Sequence, residues 1–289
     1  MPRTNSLRLR FAGKINRLHF MLPILFTIII SLLLAYSTLF STFTGANSPS
    51  LFDGIDKFFV ALNIAALAVI SATSLFIFFR LFREKPELAV KILVTTFILS
   101  GILSTLLFTK LLFTSLCLES PLILIIVALI TYMGAYFAYL VLVEALSDRM
   151  KNLLFVVCSG ALGSFVGVIV PTLPIIVISL VLSIADLILI KRKTVEKFAG
   201  EATYEKLISG IAFSSREWGI GIGDLTCYSI VVANTSLNFG IPAGGLSLLM
   251  ILIGSFLSLA ITIKRARVPG LPISIALGLL PSIMLSFFL

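Results

Sequence analysis

Two aspartates, Asp186 and Asp224, lie in apolar runs where a charged group is costly. Asp186 comes near the end of the run from Val177 to Ile190, just ahead of Lys191, Arg192 and Lys193. Asp224 heads the run through Leu225, Tyr228, Val231 and Val232. A mid-helix Asp costs about 2.5 to 3.5 kcal/mol on membrane-insertion scales, so each one needs a chemical reason. Two carboxylates in one poorly solvated site titrate in two separated steps and hold a proton between them. One group then takes a proton from water while the other polarises a peptide carbonyl, which is the aspartic protease arrangement. That chemistry requires neither metal nor any other cofactor.

Counting residues from the neighbouring basic groups puts both aspartates at matched depth, roughly 7 to 12 Å inside the same end of their spans. The two runs are consecutive and antiparallel, so adjacency brings the carboxylates face to face. Gly219, Gly221 and Gly223 crowd the start of the second run. Lacking Cβ, they permit an unwound first turn and the close approach of another backbone. A peptide must be extended to be cut, so that access suits hydrolysis. Taken alone, the same glycines read equally well as close helix packing.

The elements that must position these groups are membrane helices. Of the 289 residues 59% are hydrophobic and 12% charged, and the mean hydropathy is +1.15. Together these values exclude an ordinary soluble globule and predict a polytopic, all-α membrane protein. The net charge of +9 reflects basic residues between apolar runs, which serve as topology signals and not as a nucleic-acid surface.

Nine transmembrane helices are expected in one transmembrane domain covering residues 1–289. Spans one to six occupy about 19–190, a cytoplasmic loop 191–218 follows, and spans seven to nine occupy about 219–289. The first run, to Phe43, is too long for the core of a signal peptide and is read as a retained span. The second is placed at about 58–79, the third ends near Thr109, the fourth runs from Pro121 to about Ala145, and the fifth covers about 152–170. The seventh is expected from Gly219 to Leu237. Gly240, Pro242, Gly244 and Gly245 mark the turn into the eighth, which ends at Ile263. Alternate loops then hold every Lys and Arg except Lys57 and Lys110, so the amino terminus is cytoplasmic and the carboxyl terminus extracytoplasmic. Within 191–218, Val195, Phe198, Ala199 and Ala202 have the spacing of a short interfacial helix.

The remaining reactive residue types carry less. Cys117, Cys158 and Cys227 are scattered through apolar surroundings, without metal-ligand or disulfide spacing, and read as packing residues. His19 cannot make a histidine-based metal site alone, and it and Glu144 are read as residues at span ends. No metal site is expected.

Gly221-Ile222-Gly223-Asp224-Leu225, followed by Cys227-Tyr228-Ser229, resembles the GxGD segment of presenilins and their archaeal homologues. Pro269-Gly270-Leu271-Pro272-Ile273-Ser274-Ile275 resembles their Pro-Ala-Leu-Pro segment at the start of the last span. The order of aspartate, GxGD and proline motif in spans six, seven and nine matches as well. The resemblance implies a presenilin-like bundle and an intramembrane aspartyl protease. It makes Asp186 and Asp224 catalytic, with Gly221, Ile222, Gly223, Pro269, Gly270, Leu271 and Pro272 supporting the site. Two departures stand out: Ala185 occupies the position of a family Tyr, and Gly270 that of the motif Ala.

The partners so implied are the lipid bilayer and proteins with transmembrane helices as substrates. No obligate protein cofactor is expected, and a homo-oligomer is left open. Short loops suit a prokaryotic, by the resemblance archaeal, cell membrane. Two other readings compete: an ion-coupled transporter with Asp186 and Asp224 as cation ligands, and a protease like the prepilin peptidases. Signal peptide peptidases share the chemistry, but their orientation is opposite to the one the basic residues give. A strand within 191–218, or just before Gly219, is expected to pair with an unwound substrate.

Overall fold

The computed structural model describes residues 17–43, 80–81, 84–116, 121–192, 212–214, 219–264 and 270–288. The expected second span, most of 191–218 with its short helix, and Pro269 lie outside the described residues. Eight helices and a two-stranded sheet are defined within them, in the order α1 (Arg17–Phe43), α2 (Pro86–Ser115), α3 (Pro121–Leu142), α4 (Asp148–Ile169), α5 (Thr172–Arg192), β1 (Ala212–Ser214), β2 (Gly219–Gly221), α6 (Ile222–Phe239), α7 (Ile241–Lys264) and α8 (Leu271–Phe288).

Local chemistry accounts for several boundaries. Pro86 and Pro121 open α2 and α3, at the position where a missing N–H costs nothing. α3 ends on Glu144, which has a left-handed φ of 59°. Its amide donates to the Val141 carbonyl, and the Ala145 amide donates to that of Leu140. This is a Schellman ending with glutamate where glycine is usual. Glu144 also pairs with Lys91 at 2.8 Å, tying the end of α3 to the start of α2.

Among the described residues, five segments are long and apolar enough to cross a membrane: Phe20–Thr38, Glu87–Phe113, Ile123–Leu142, Asp148–Ile169 and Ile241–Thr262. Thr172–Leu187 and Leu271–Phe287 are shorter apolar helices. The outward faces carry large apolar side chains, among them Leu33, Leu124, Leu129, Leu173 and Phe287, as lipid contact requires. The chain is an integral membrane protein.

α6 forms the centre of the bundle and packs against α1, α4, α5, α7 and α8. Val231, Val232, Leu225 and Tyr228 on α6 meet Ile24 and Ile28 of α1, Ile251 of α7, and Ile275 and Leu279 of α8 in one core. Lipid tails are as apolar as these side chains, so close packing and interhelical hydrogen bonds must select the arrangement. At the α4–α6 seam a Cβ on Gly163 would lie 2.3 Å from the Ser229 Cβ, and one on Gly167 would lie 3.0 Å from the Ala233 Cβ. Further along, the Asn234 side-chain amide donates to the Gly167 and Val170 carbonyls at 3.0 and 3.1 Å, which satisfies carbonyls orphaned at the end of α4. Ser31 of α1 donates to the Ser229 carbonyl at 3.3 Å, and the Tyr36 and Ser236 hydroxyls also bond.

Two expected boundaries are corrected. Gly219–Gly221 is a strand and not the first turn of the seventh span; α6 begins at Ile222 and continues to Phe239. β2 pairs antiparallel with β1, Ala212 facing Gly221 and Ser214 facing Gly219, so strand partners take up amides that a helix would otherwise use. The turn after α6 is shorter than expected, because Gly240 (φ 89°) makes it and Pro242, Gly244 and Gly245 already belong to α7. Gly244 is needed for packing, since a Cβ there would lie 2.5 Å from the Ser236 Cβ.

Candidate active site

Asp224 is the third residue of α6. Gly221, the extended N-cap with φ −61° and ψ 138°, lies against the carboxyl group: a Cβ there would be 3.6 Å from Cγ and from both oxygens of Asp224. Gly223 is exposed, and a Cβ on it would meet nothing within 4 Å. The GxGD glycines therefore differ, Gly221 flooring the carboxyl group and Gly223 standing exposed with open space around it.

Asp186 reaches the same place from α5, which packs against α6 and α8. It is partly buried, and the two carboxyl groups lie within electrostatic reach of each other. The buried Cys227 thiol lies within reach of both.

The start of α8 closes the third side. The Leu271 backbone amide donates to the Asp186 carboxylate, and a Cβ on Gly270 would stand 3.6 Å from Oδ2 of Asp224. Meanwhile the Leu271 side chain is buried in the α1–α6–α7–α8 core, so the segment is anchored by its side chain and touches the acids with its backbone. Pro272 follows within the first turn of α8, where proline is tolerated. Of the residues singled out in the sequence, Asp186, Asp224, Gly221, Gly270 and Leu271 converge. Ile222 turns away into a second core with Val94, Ile98 and Phe155, and Pro269 lies outside the described residues.

Tyr228, Ser255 and Ser274 were not legible as part of this site. Tyr228 sits one turn beyond Asp224 and hydrogen-bonds Ser255 of α7 and Ser274 of α8. The i to i+4 spacing of Asp224 with Tyr228, and of Gly270 with Ser274, puts each pair on one helix face; nothing local marks Ser255.

Two solved structures of a presenilin family intramembrane aspartate protease, in C222 and P2 space groups, superpose on the chain. Each gives a TM-score of 0.60 at 16% identity, covering 94% and 96% of this chain and 99% of the other. In fold, the chain is similar to presenilin-family proteases. No protein-family model matches the sequence, and no curated protein matches it either. The likeness in fold extends over nearly the whole chain.

Proposed function

We propose that this chain is an intramembrane aspartic endopeptidase that hydrolyses peptide bonds within the transmembrane segments of other membrane proteins. The observation carrying this reading is the convergence of Asp186 and Asp224, from separate helices, against the backbone of Gly270 and Leu271. The pair shares one proton. Its ionised member takes a proton from water as the water oxygen adds to the scissile carbonyl carbon, and its protonated member donates to the carbonyl oxygen. Collapse of the tetrahedral diol breaks the C–N bond, a proton passes to the leaving amine, and the pair returns to its starting state. Asp186 and Asp224 are the catalytic residues, while Gly221, Gly270 and Leu271 hold them.

In this reading the chain spans the membrane nine times, with a second span at about 58–79, a cytoplasmic amino terminus and an extracytoplasmic carboxyl terminus. The distribution of Lys and Arg supports that orientation. Substrate approaches over Gly223, the residue before Asp224, where the surface is open. A stretch of substrate, unwound for cleavage, adds to an edge of the β1–β2 sheet, which leads directly into α6. Amide exchange at 212–214 and 219–221 should slow when a peptidic transition-state analogue binds; unchanged exchange would remove the strand pairing from the proposal.

The test of function is cleavage of a single-span reporter by the purified protein in detergent or lipid nanodiscs. Parent protein should cut it, and Asp186→Ala and Asp224→Ala, still folded, should not.

A further inference from the structure

We propose that the Tyr228–Ser255–Ser274 hydroxyl cluster is a positioning device that sets the distance between the two acids; this rests on the protease reading above. All three side chains are buried, with Ser274 at 0% exposure. The phenol of Tyr228 bonds both serines, the Ser255 and Ser274 hydroxyls are 3.1 Å apart, and Ser274 donates to the Gly270 carbonyl at 3.1 Å. With that proton committed to Gly270, the hydroxyl protons of Tyr228 and Ser255 supply two of the three contacts within the cluster, and the third is an approach of two oxygens as acceptors. Every donor is then used.

The cluster is placed to govern the pair. It joins α6, α7 and α8 one helical turn below the acids, and Gly270 and Leu271, the residues that touch Asp224 and Asp186, sit on the turn that Ser274 fixes. Helix α7 meets α8 backbone to backbone at the same level: a Cβ on Gly254 would lie 2.6 Å from the Ser274 Cα and 3.0 Å from the Ile273 carbonyl oxygen. Rotation of α8 about that contact would move the Leu271 amide away from Asp186, and the hydroxyl bonds oppose this rotation. Since the principal neighbours of α5 among the described elements are α8 and α6, the position of Asp186 relative to Asp224 depends on how α8 is seated.

The variants Tyr228→Phe and Ser274→Ala remove one hydroxyl each and leave the packing volume nearly unchanged. Purified full-length proteins are compared on the single-span reporter, with rates expressed per site titrated by a transition-state analogue so that only folded sites count. The expected result is a kcat lowered by roughly 10- to 100-fold, in line with an ångström-scale misplacement of reacting groups, and a KM within about twofold of the parent. The double variant should lose no more than the worse single one, because both act through one cluster. Tyr139→Phe, at an exposed site on α3, serves as the unaffected control. A kcat per titrated site within twofold of the parent in Tyr228→Phe would overturn the proposal, as would losses that multiply in the double variant. Asp186→Ala and Asp224→Ala run alongside: if they retain cleavage the protease reading itself fails, whereas if they abolish it and Tyr228→Phe does not, only the positioning role is lost.

Discussion

Replacing Gly163 by alanine tests whether the α4–α6 seam sets the position of the acid pair. The added Cβ would fall 2.3 Å from the Ser229 Cβ, 3.0 Å from the Thr226 carbonyl oxygen and 3.2 Å from the Ile230 amide nitrogen. Carbon atoms rest about 3.5 to 4.0 Å apart, so the helices must separate by more than an ångström. All three neighbours belong to α6 backbone or to a Cβ, and no rotamer change relieves the contact. Overpacking of this kind costs about 1 to 3 kcal/mol. Because Asp224 lies five residues before Ser229 on the same helix, the shift carries over to the site, and misplacement on this scale lowers kcat by up to about 100-fold. Thermal unfolding in detergent and reporter cleavage per titrated site measure the two effects. Adding Ser229→Gly removes the nearest atom and should recover part of both losses, leaving the tight contacts with Thr226 and Ile230. Parent-like stability and kcat in Gly163→Ala would refute the reasoning, because α6 would then have room that this packing denies it.

Two further substitutions probe the site and its frame. Gly270→Ala should keep cleavage within about threefold of the parent, since its Cβ would sit at an ordinary 3.6 Å from Asp224, whereas Gly270→Leu should lose it by about 100-fold or more through displacement of the acid; equal activity in the two would contradict the contact. Glu144→Gly should raise stability by up to about 1 kcal/mol, because release from the left-handed conformation outweighs the solvent-exposed pair with Lys91. A lowered unfolding temperature would show that the pair matters more than the backbone.

Much of this architecture is legible in the sequence because lipid imposes strong rules. Uninterrupted apolar runs, Pro121 at a helix start and two aspartates within apolar runs report on local requirements that hold wherever the helices lie, whereas Pro86 reads as part of a charged connector from Arg80 to Lys91 and instead opens α2. Glycines were less readable. Gly219 and Gly221 suggest a loosened helix but belong to a strand, because β1, inside the 191–218 stretch where a strand is expected, supplies the partner amides and carbonyls. Gly244 suggested a turn and instead relieves crowding against Ser236. The Tyr228–Ser255–Ser274 cluster lay beyond reach for a related reason: its members come from three helices, and serines in apolar spans far more often bond a carbonyl of their own helix, as Ser229 does with Leu225. The Leu271 amide has no side-chain signal at all.

The most direct measurement of the central claim is single-turnover cleavage of a transmembrane reporter by the parent protein and by Asp186→Asn and Asp224→Asn, with folding verified by unfolding temperature. Each Asn retains the size of the side chain and removes its capacity to exchange a proton. Cleavage by the parent, with loss of at least about 1,000-fold in each variant at unchanged folding, is the predicted result. Comparable cleavage in either variant would contradict the shared-proton mechanism.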